Sequence, residues 1–176
     1  MSNYWITTEA TADFPESLMK EDFAIIPMSY TVKGEFFDGA DKKLTPKQFY
    51  DACREAKTAA DLPTTSMITA YQAEEFFRPI LAAGNDIIHI GFSSALSGTF
   101  EQLKMAEKSL SAEFPDRRIT VIDSKTACFI EGLAAYYTLL KRDEGASYDE
   151  CVAFVERILP HCAGFFTIDD IAHLQR

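Results

Sequence analysis

The sequence predicts an α/β fold: a mostly parallel sheet with helices packed on both of its faces. Three observations lead there. From residue 60 onward, strand-like and helix-like segments alternate, the pattern of strands paired in parallel through right-handed helical crossovers. Asp86–Gly91 (DIIHIG) is a nearly continuous apolar run, as a central strand buried on both faces requires. Finally, Thr45-Pro46-Lys47-Gln48, Thr69-Ala70-Tyr71-Gln72 and Ser147-Tyr148-Asp149-Glu150 place a hydroxyl three residues ahead of Gln or Glu, the signature of a capped helix start.

Taken in order, Tyr4–Thr7 reads as a short first strand, followed by Thr8, Glu9 and Ala10. Phe23–Val32 (FAIIPMSYTV) is a second apolar run, and Gly34 suggests a hairpin over Tyr30–Phe37. The Thr45 cap opens a helix with Phe49, Cys53 and Ala56 on one face. Leu62–Ile68 (LPTTSMI) reads as a loop. The Thr69 cap opens a helix to Ala83, with Phe76, Phe77 and Ile80 as its apolar face. After the strand Asp86–Gly91, a helix carries Leu96, Phe100, Leu103, Ala106 and Leu110. Arg118–Ile122 is the next strand, and Ile130–Arg142 is helical with Leu133, Tyr137 and Leu140 on one face. Ser147 caps a helix to about Leu159. Ala163–Ile168 (AGFFTI) reads as a last strand, and Asp169-Asp170 favours a helix start beyond it.

The 176 residues fit one compact domain, 1–176, without repeats or linkers. Hydrophobic residues at 47% and charged residues at 25% exclude a disordered chain. The net charge of −10 argues against nucleic acid and anionic membrane surfaces, which need clustered Lys and Arg. Cys53, Cys128, Cys151 and Cys162 have no CxxC spacing and form no metal pattern with His89, His161 and His173. They read as free thiols of a reducing compartment. The N-terminus MSNYWITTEA lacks the basic start and apolar run of a signal peptide. A cytoplasmic protein is expected.

Parallel sheets bind ligands beyond the carboxyl ends of their strands. The polar residues expected there are Thr7, Thr8 and Glu9; Thr64, Thr65 and Ser66; Ser93, Ser94, Ser97, Gly98 and Thr99; Asp123 and Ser124. The segment Phe92–Phe100 (FSSALSGTF) is the richest. Its four hydroxyls can donate to an oxyanion, Gly98 admits close approach of the backbone, and the first helical N–H groups point to the loop. Without a lysine it is not the phosphate loop of a nucleotide hydrolase, and the glycine pattern of a dinucleotide site is missing.

Competing readings stand beside it. Ser94 or Ser97 could simply cap the helix. Gly91-Phe92-Ser93-Ser94-Ala95 approaches the nucleophile elbow of an esterase, with Ala95 in place of the last glycine. Ser93 would be the nucleophile, with His161 or His173 and Asp123, Asp169 or Asp170 as partners. Thr64–Ser66 reads as loop and cap when taken alone, and Asp123-Ser124 as an N-cap pair. Glu9 and Asp13 make a weak case for a metal.

Phe92–Phe100 resembles the SSxLSGTY-type motif of DegV-family proteins, the bacterial fatty-acid-binding subunits of fatty acid kinase. Ile6–Pro15 (ITTEATADFP), Pro63–Thr69 (PTTSMIT), Val121–Ser124 (VIDS) and Phe165–Leu174 (FFTIDDIAHL) resemble further family segments in the same order. The resemblance implies a Rossmann-like N-terminal domain that binds a long-chain fatty acid. Thr65 with Ser66, and Ser93 or Ser94, would hold the carboxylate; Ser97, Gly98 and Thr99 complete the motif. The acyl chain would lie in an apolar tunnel. The binding subunit would need no cofactor and do no chemistry of its own, presenting the carboxylate to a separate ATP-dependent kinase that forms an acyl phosphate. Another anionic metabolite is an alternative ligand.

This sequence departs from the family pattern in places. Glu9 and Ala10 replace an Asp-Ser pair, and Met67-Ile68 replaces Gln-Pro and could extend the apolar wall. Family members also run roughly a hundred residues further. The resemblance therefore implies a missing C-terminal domain, exposed apolar surface, and self-association through that face.

Overall fold

A computed structural model of the chain describes residues 4–165 and 167. They fall into two compact units, Met1–Ile26 with Ile68–Ala163, and Pro27–Met67 with Gly164–Arg176. The helical part of the first unit follows the predicted alternation.

The first unit is built on four parallel strands in the order β2-β1-β6-β7, with β1 Tyr4–Glu9, β2 Phe23–Ile26, β6 Asp86–Gly91 and β7 Ile119–Asp123. The β6 strand pairs Ile88 with Ile6 on one side and with Thr120 on the other. Ile87, Ile88, His89 and Ile90 are all fully buried, as the apolar run predicts. Helices α2 (Ala70–Ala82) and α3 (Thr99–Glu113) cover one face, where Phe77, Leu81, Leu103 and Leu110 meet Ile87 and Val121. Helices α4 (Phe129–Asp143) and α5 (Tyr148–Ile158) cover the other, where Leu139 and Val155 meet Ile6, Ile88 and Ile90. The fold is α/β, with helices on both faces of a mostly parallel sheet.

The second unit holds a three-stranded antiparallel sheet in the order β4-β3-β5, with β3 Tyr30–Val32, β4 Glu35–Phe37 and β5 Thr64–Thr65, and the helix α1 Pro46–Glu55. Lys33 and Gly34 both take positive φ, which closes the predicted hairpin with a tight turn. Tyr30 stacks on Phe37 at 5.2 Å and meets Phe49 edge-on. The capping boxes at Thr45, Thr69 and Ser147 are all formed.

Several expectations are corrected. The apolar run Phe23–Val32 is two strands in different units, because Pro27 cannot donate to a ladder. Leu62–Ile68 contains β5, which pairs Thr65 with Tyr30. Leu96 is not on a helix: α3 begins at Thr99, and Leu96 lies exposed in the preceding turn. The segment 163–165 and residue 167 carry no strand; Ile168, Asp169, Asp170 and His173 lie outside the described residues.

The face of α4 is the most instructive correction. Tyr137 and Leu140 point outward, while Glu131, Gly132, Ala134, Ala135, Thr138 and Leu139 are buried. Small side chains let α4 approach the 3-10 turn Ala10–Ala12 that follows β1. A Cβ on Gly132 would stand 2.3 Å from the carbonyl oxygen of Ala12. Gly132→Ala should therefore destabilise the protein by about 2 kcal/mol in urea unfolding through overpacking, although alanine favours a helix interior by about 1 kcal/mol over glycine. A stabilised variant would show that this contact is not tight.

Candidate functional site

The carboxyl ends of β1, β6 and β7 lie side by side, and the loop after β6 is tied to both neighbours. The carboxylate of Glu9, at the end of β1, accepts the Phe92 N–H at 2.7 Å. The Ser124 N–H donates to the Gly91 carbonyl at 3.1 Å, and the Ser93 N–H donates to the Thr126 carbonyl at 3.0 Å. Ser93 then accepts the N–H groups of Leu96 and Ser97 on its own carbonyl, which folds Ser93–Ser97 into a tight turn. The loop is held at its entry and only then released towards α3.

A hydroxyl has one proton to give, so the four hydroxyls of the loop can be separated by what they already do. The Ser94 hydroxyl donates to Asp123 at 2.6 Å, and the Ser94 N–H points at the same carboxylate. The Ser97 hydroxyl donates to Thr99 Oγ1 at 3.0 Å and accepts the Thr99 N–H; the N-cap of α3 is Gly98, without a side-chain cap bond, so neither Ser94 nor Ser97 caps the helix. Ser93 Oγ accepts the Ala95 N–H, so its proton remains to be placed. Thr99 Oγ1 accepts from Ser97 and likewise keeps its proton. Both residues are buried, at 3% exposure. Gly98 is exposed at the start of α3, whose first-turn amides have no partners within the helix.

Of the two readings of Asp123 and Ser124, a polar pair at the strand end and an N-cap pair, the cap is not formed. Instead α4 starts at Phe129, and Asp123 serves the loop. Burial opposes its charge, but hydrogen bonds from the Ser94 hydroxyl and the amides of Lys125 and Ser94 hold its carboxyl below the ordinary range. Ser124 accepts the Thr126 N–H within its own turn.

Thr64, Thr65 and Ser66 belong to the second unit. All three are exposed, and the Ser66 N–H donates to the Ser29 carbonyl. Of the two substitutions beside them, Met67 is 45% exposed, whereas Ile68 is buried in the core of the first unit.

The esterase arrangement finds no support in the contacts of its nucleophile. The hydrogen bonds of Ser93 and Ser94 go to backbone groups and to Asp123. His161 ends a 3-10 turn after α5. His89, buried in β6, directs Nδ1 to Thr7 Oγ1 at 2.9 Å. Among the described residues, no group of His, Cys, Asp and Glu is placed to hold a metal ion, and no helix is long and apolar enough to cross a membrane.

Two features escaped the sequence. Glu131 is fully buried in the first turn of α4, beneath the end of β1. Its signal was a carboxylate opening a run of small residues, Gly132, Ala134 and Ala135. The other is an apolar cavity of about 180 Å³ lined by Phe14, Pro15, Leu18, Phe129, Leu133 and Tyr136. It is smaller than the roughly 300–1,000 Å³ of most small-molecule sites. Asp13 at its edge has its carboxyl raised by burial.

Comparison with known proteins places the chain in a family. A family model described as uncharacterised protein, DegV family, covers residues 4–176. A DegV domain-containing protein of Clostridium perfringens is 33% identical over 178 residues, spanning 100% of this chain and 60% of that one. One from Lactococcus lactis is 30% identical, spanning 98% and 59%. The chain thus spans about 60% of the length of these curated relatives. The crystal structure of DegV, a fatty acid binding protein from Bacillus subtilis, superposes with a TM-score of 0.78 at 23% identity, over 99% of this chain and 60% of that one. A stearic acid-binding protein from Eubacterium ventriosum gives a TM-score of 0.76 at 19% identity, over 87% and 52%. The chain belongs to the DegV family.

Proposed function

We propose that this chain supplies the carboxylate-holding part of a long-chain fatty-acid site. The observation that carries the reading is the Ser93 hydroxyl. It is buried at the junction of a central strand and a helix, fixed by the tethered loop around it, with its proton uncommitted. Thr99 offers a second such hydroxyl, and the first amides of α3 add a partial positive charge. A singly charged head group suits these neutral donors, and family members whose structures are solved are described as binding fatty acids. Thr65 and Ser66 are the second candidate pair for the head group.

An acyl chain would supply most of the affinity, at about 0.8 kcal/mol per buried methylene. The serine and threonine donors would contribute orientation. A carboxylate held this way is ready for transfer of a phosphoryl group by a separate ATP-dependent kinase, with this chain positioning the acceptor oxygen. The chain itself would make and break no bonds, and any self-association would serve to cover apolar surface.

Protein purified from bacterial cells should release a fatty acid in denaturing mass spectrometry; release of a different anionic metabolite in stoichiometric amount would replace the ligand named here. Ser93→Ala and Thr65→Ala should each weaken fatty-acid binding by roughly tenfold, the value of one hydrogen bond to a charged group, while binding of the methyl ester stays unchanged. If neither variant alters the Kd, the head group lies elsewhere. A fluorophosphonate should leave Ser93 unmodified; stoichiometric labelling would favour the hydrolase.

A further inference from the structure

Beneath the loop lies a group that the fatty-acid reading does not use. Glu131 Oε1 is 2.9 Å from Thr8 Oγ1, and Oε2 is 3.1 Å from Thr11 Oγ1. Thr8 Oγ1 stands 2.9 Å from the carbonyl oxygen of Ile90 as well. Thr8 thus faces two acceptors at equal distance with one proton, which cannot fully serve both the Ile90 carbonyl and an ionised Glu131. Both contacts are made in full when Glu131 supplies the second proton. A neutral acid satisfies both contacts, whereas a carboxylate would set two lone pairs against each other at hydrogen-bond distance.

The surroundings favour the same state. Glu9 faces Glu131 from β1, and Cys128, beside Asp13, faces it from the residue before α4. His89 of β6 lies behind Glu9, with Nε2 3.9 Å from Glu9 Oε1 and without a hydrogen-bond partner. Among the described residues no lysine or arginine pairs with Glu131. Burial first, and the charge of Glu9 second, push the Glu131 carboxyl up to about 8, against the hydrogen bonds of Thr8 and Thr11, which pull it down.

We propose that Glu131 is a neutral carboxylic acid at neutral pH and acts as a positioning residue: its proton latches the end of β1 and the turn after it onto α4, and through Glu9 fixes the amide of Phe92. The latch joins two segments already in close contact, since Gly132 presses on the Ala12 carbonyl. Losing the proton places a second negative charge beside Glu9 in surroundings without a cation. Turning the Glu9 side chain away from α4 relieves it, and Phe92 then loses the acceptor that anchors the loop. A pair of buried carboxyls that cannot both ionise is a general means of keeping one protonated near neutrality. The latch rests on the fatty-acid reading only for its effect on a ligand.

The test uses the ligand-free chain. Carbon-detected NMR should show the Glu131 carboxyl titrating near 8, and the exchange protection of the Phe92 amide should fall about tenfold through the same midpoint. Glu131→Gln, neutral at every pH, should hold that protection constant. If the variant does not fold, the wild-type titration decides alone. A Glu131 midpoint below about 6, or Phe92 protection indifferent to the titration, overturns the latch. Fatty-acid Kd should rise about tenfold above the midpoint, and a Kd unchanged through it severs the latch from the loop. Coupled titration in a chain that binds no fatty acid at any pH upholds the latch and sinks the ligand reading.

Discussion

The carboxylate of Glu9 is the point on which the site hangs. It ends a buried strand where, among the described residues, no lysine or arginine is paired with it, and it finds its donor in the backbone of Phe92, 2.7 Å away on the neighbouring strand's loop. A buried charge needs such a partner, and a loop needs such an anchor. One contact meets both needs. Gly91 leaves room for it, since a Cβ there would come within 3.3 Å of the Glu9 oxygen and press it aside by a few tenths of an ångström. From this anchor the turn Ser93–Ser97 and the start of α3 follow in order.

The two faces of the sheet serve this end differently. On one side large residues such as Phe77, Leu81 and Leu103 fill the space under α2 and α3. On the other, small residues bring α4 against the chain that leaves β1. Close packing there turns the first turn of α4 into a wall of the polar end of the sheet. Glu131 stands in that wall, with the hydroxyls of Thr8 and Thr11 as its partners.

Much of this was legible in the sequence, for identifiable reasons. The run DIIHIG has one reading in a parallel sheet, and three capping boxes place helix starts to the residue. The loop motif stood out because hydroxyls and a glycine gather where a strand hands over to a helix. What each hydroxyl does was hidden. Ser94 and Ser97 look like Ser93 in sequence, and only the positions of Asp123 and Thr99 commit their protons. The α4 face was misread because Leu133, Tyr137 and Leu140 have the spacing of a core stripe, while contact with a neighbouring turn demands small side chains instead. Glu131 was invisible for a related reason: a glutamate in a first helical turn usually complements the helix dipole at the surface.

The bond between Ser94 and Asp123 has a consequence for the proposed anion site. Asp123 is kept ionised by the donors around it, so a fixed negative charge stands beside the cradle at every pH near neutrality. Coulomb repulsion scales with the charge of the guest. A phosphate monoester, close to doubly charged at neutral pH, is repelled about twice as strongly as a carboxylate at the same distance. If the loop holds an anion as proposed, the neighbour that disciplines Ser94 would act as a valence filter, biasing a cradle of hydroxyls towards oxyanions with a single charge.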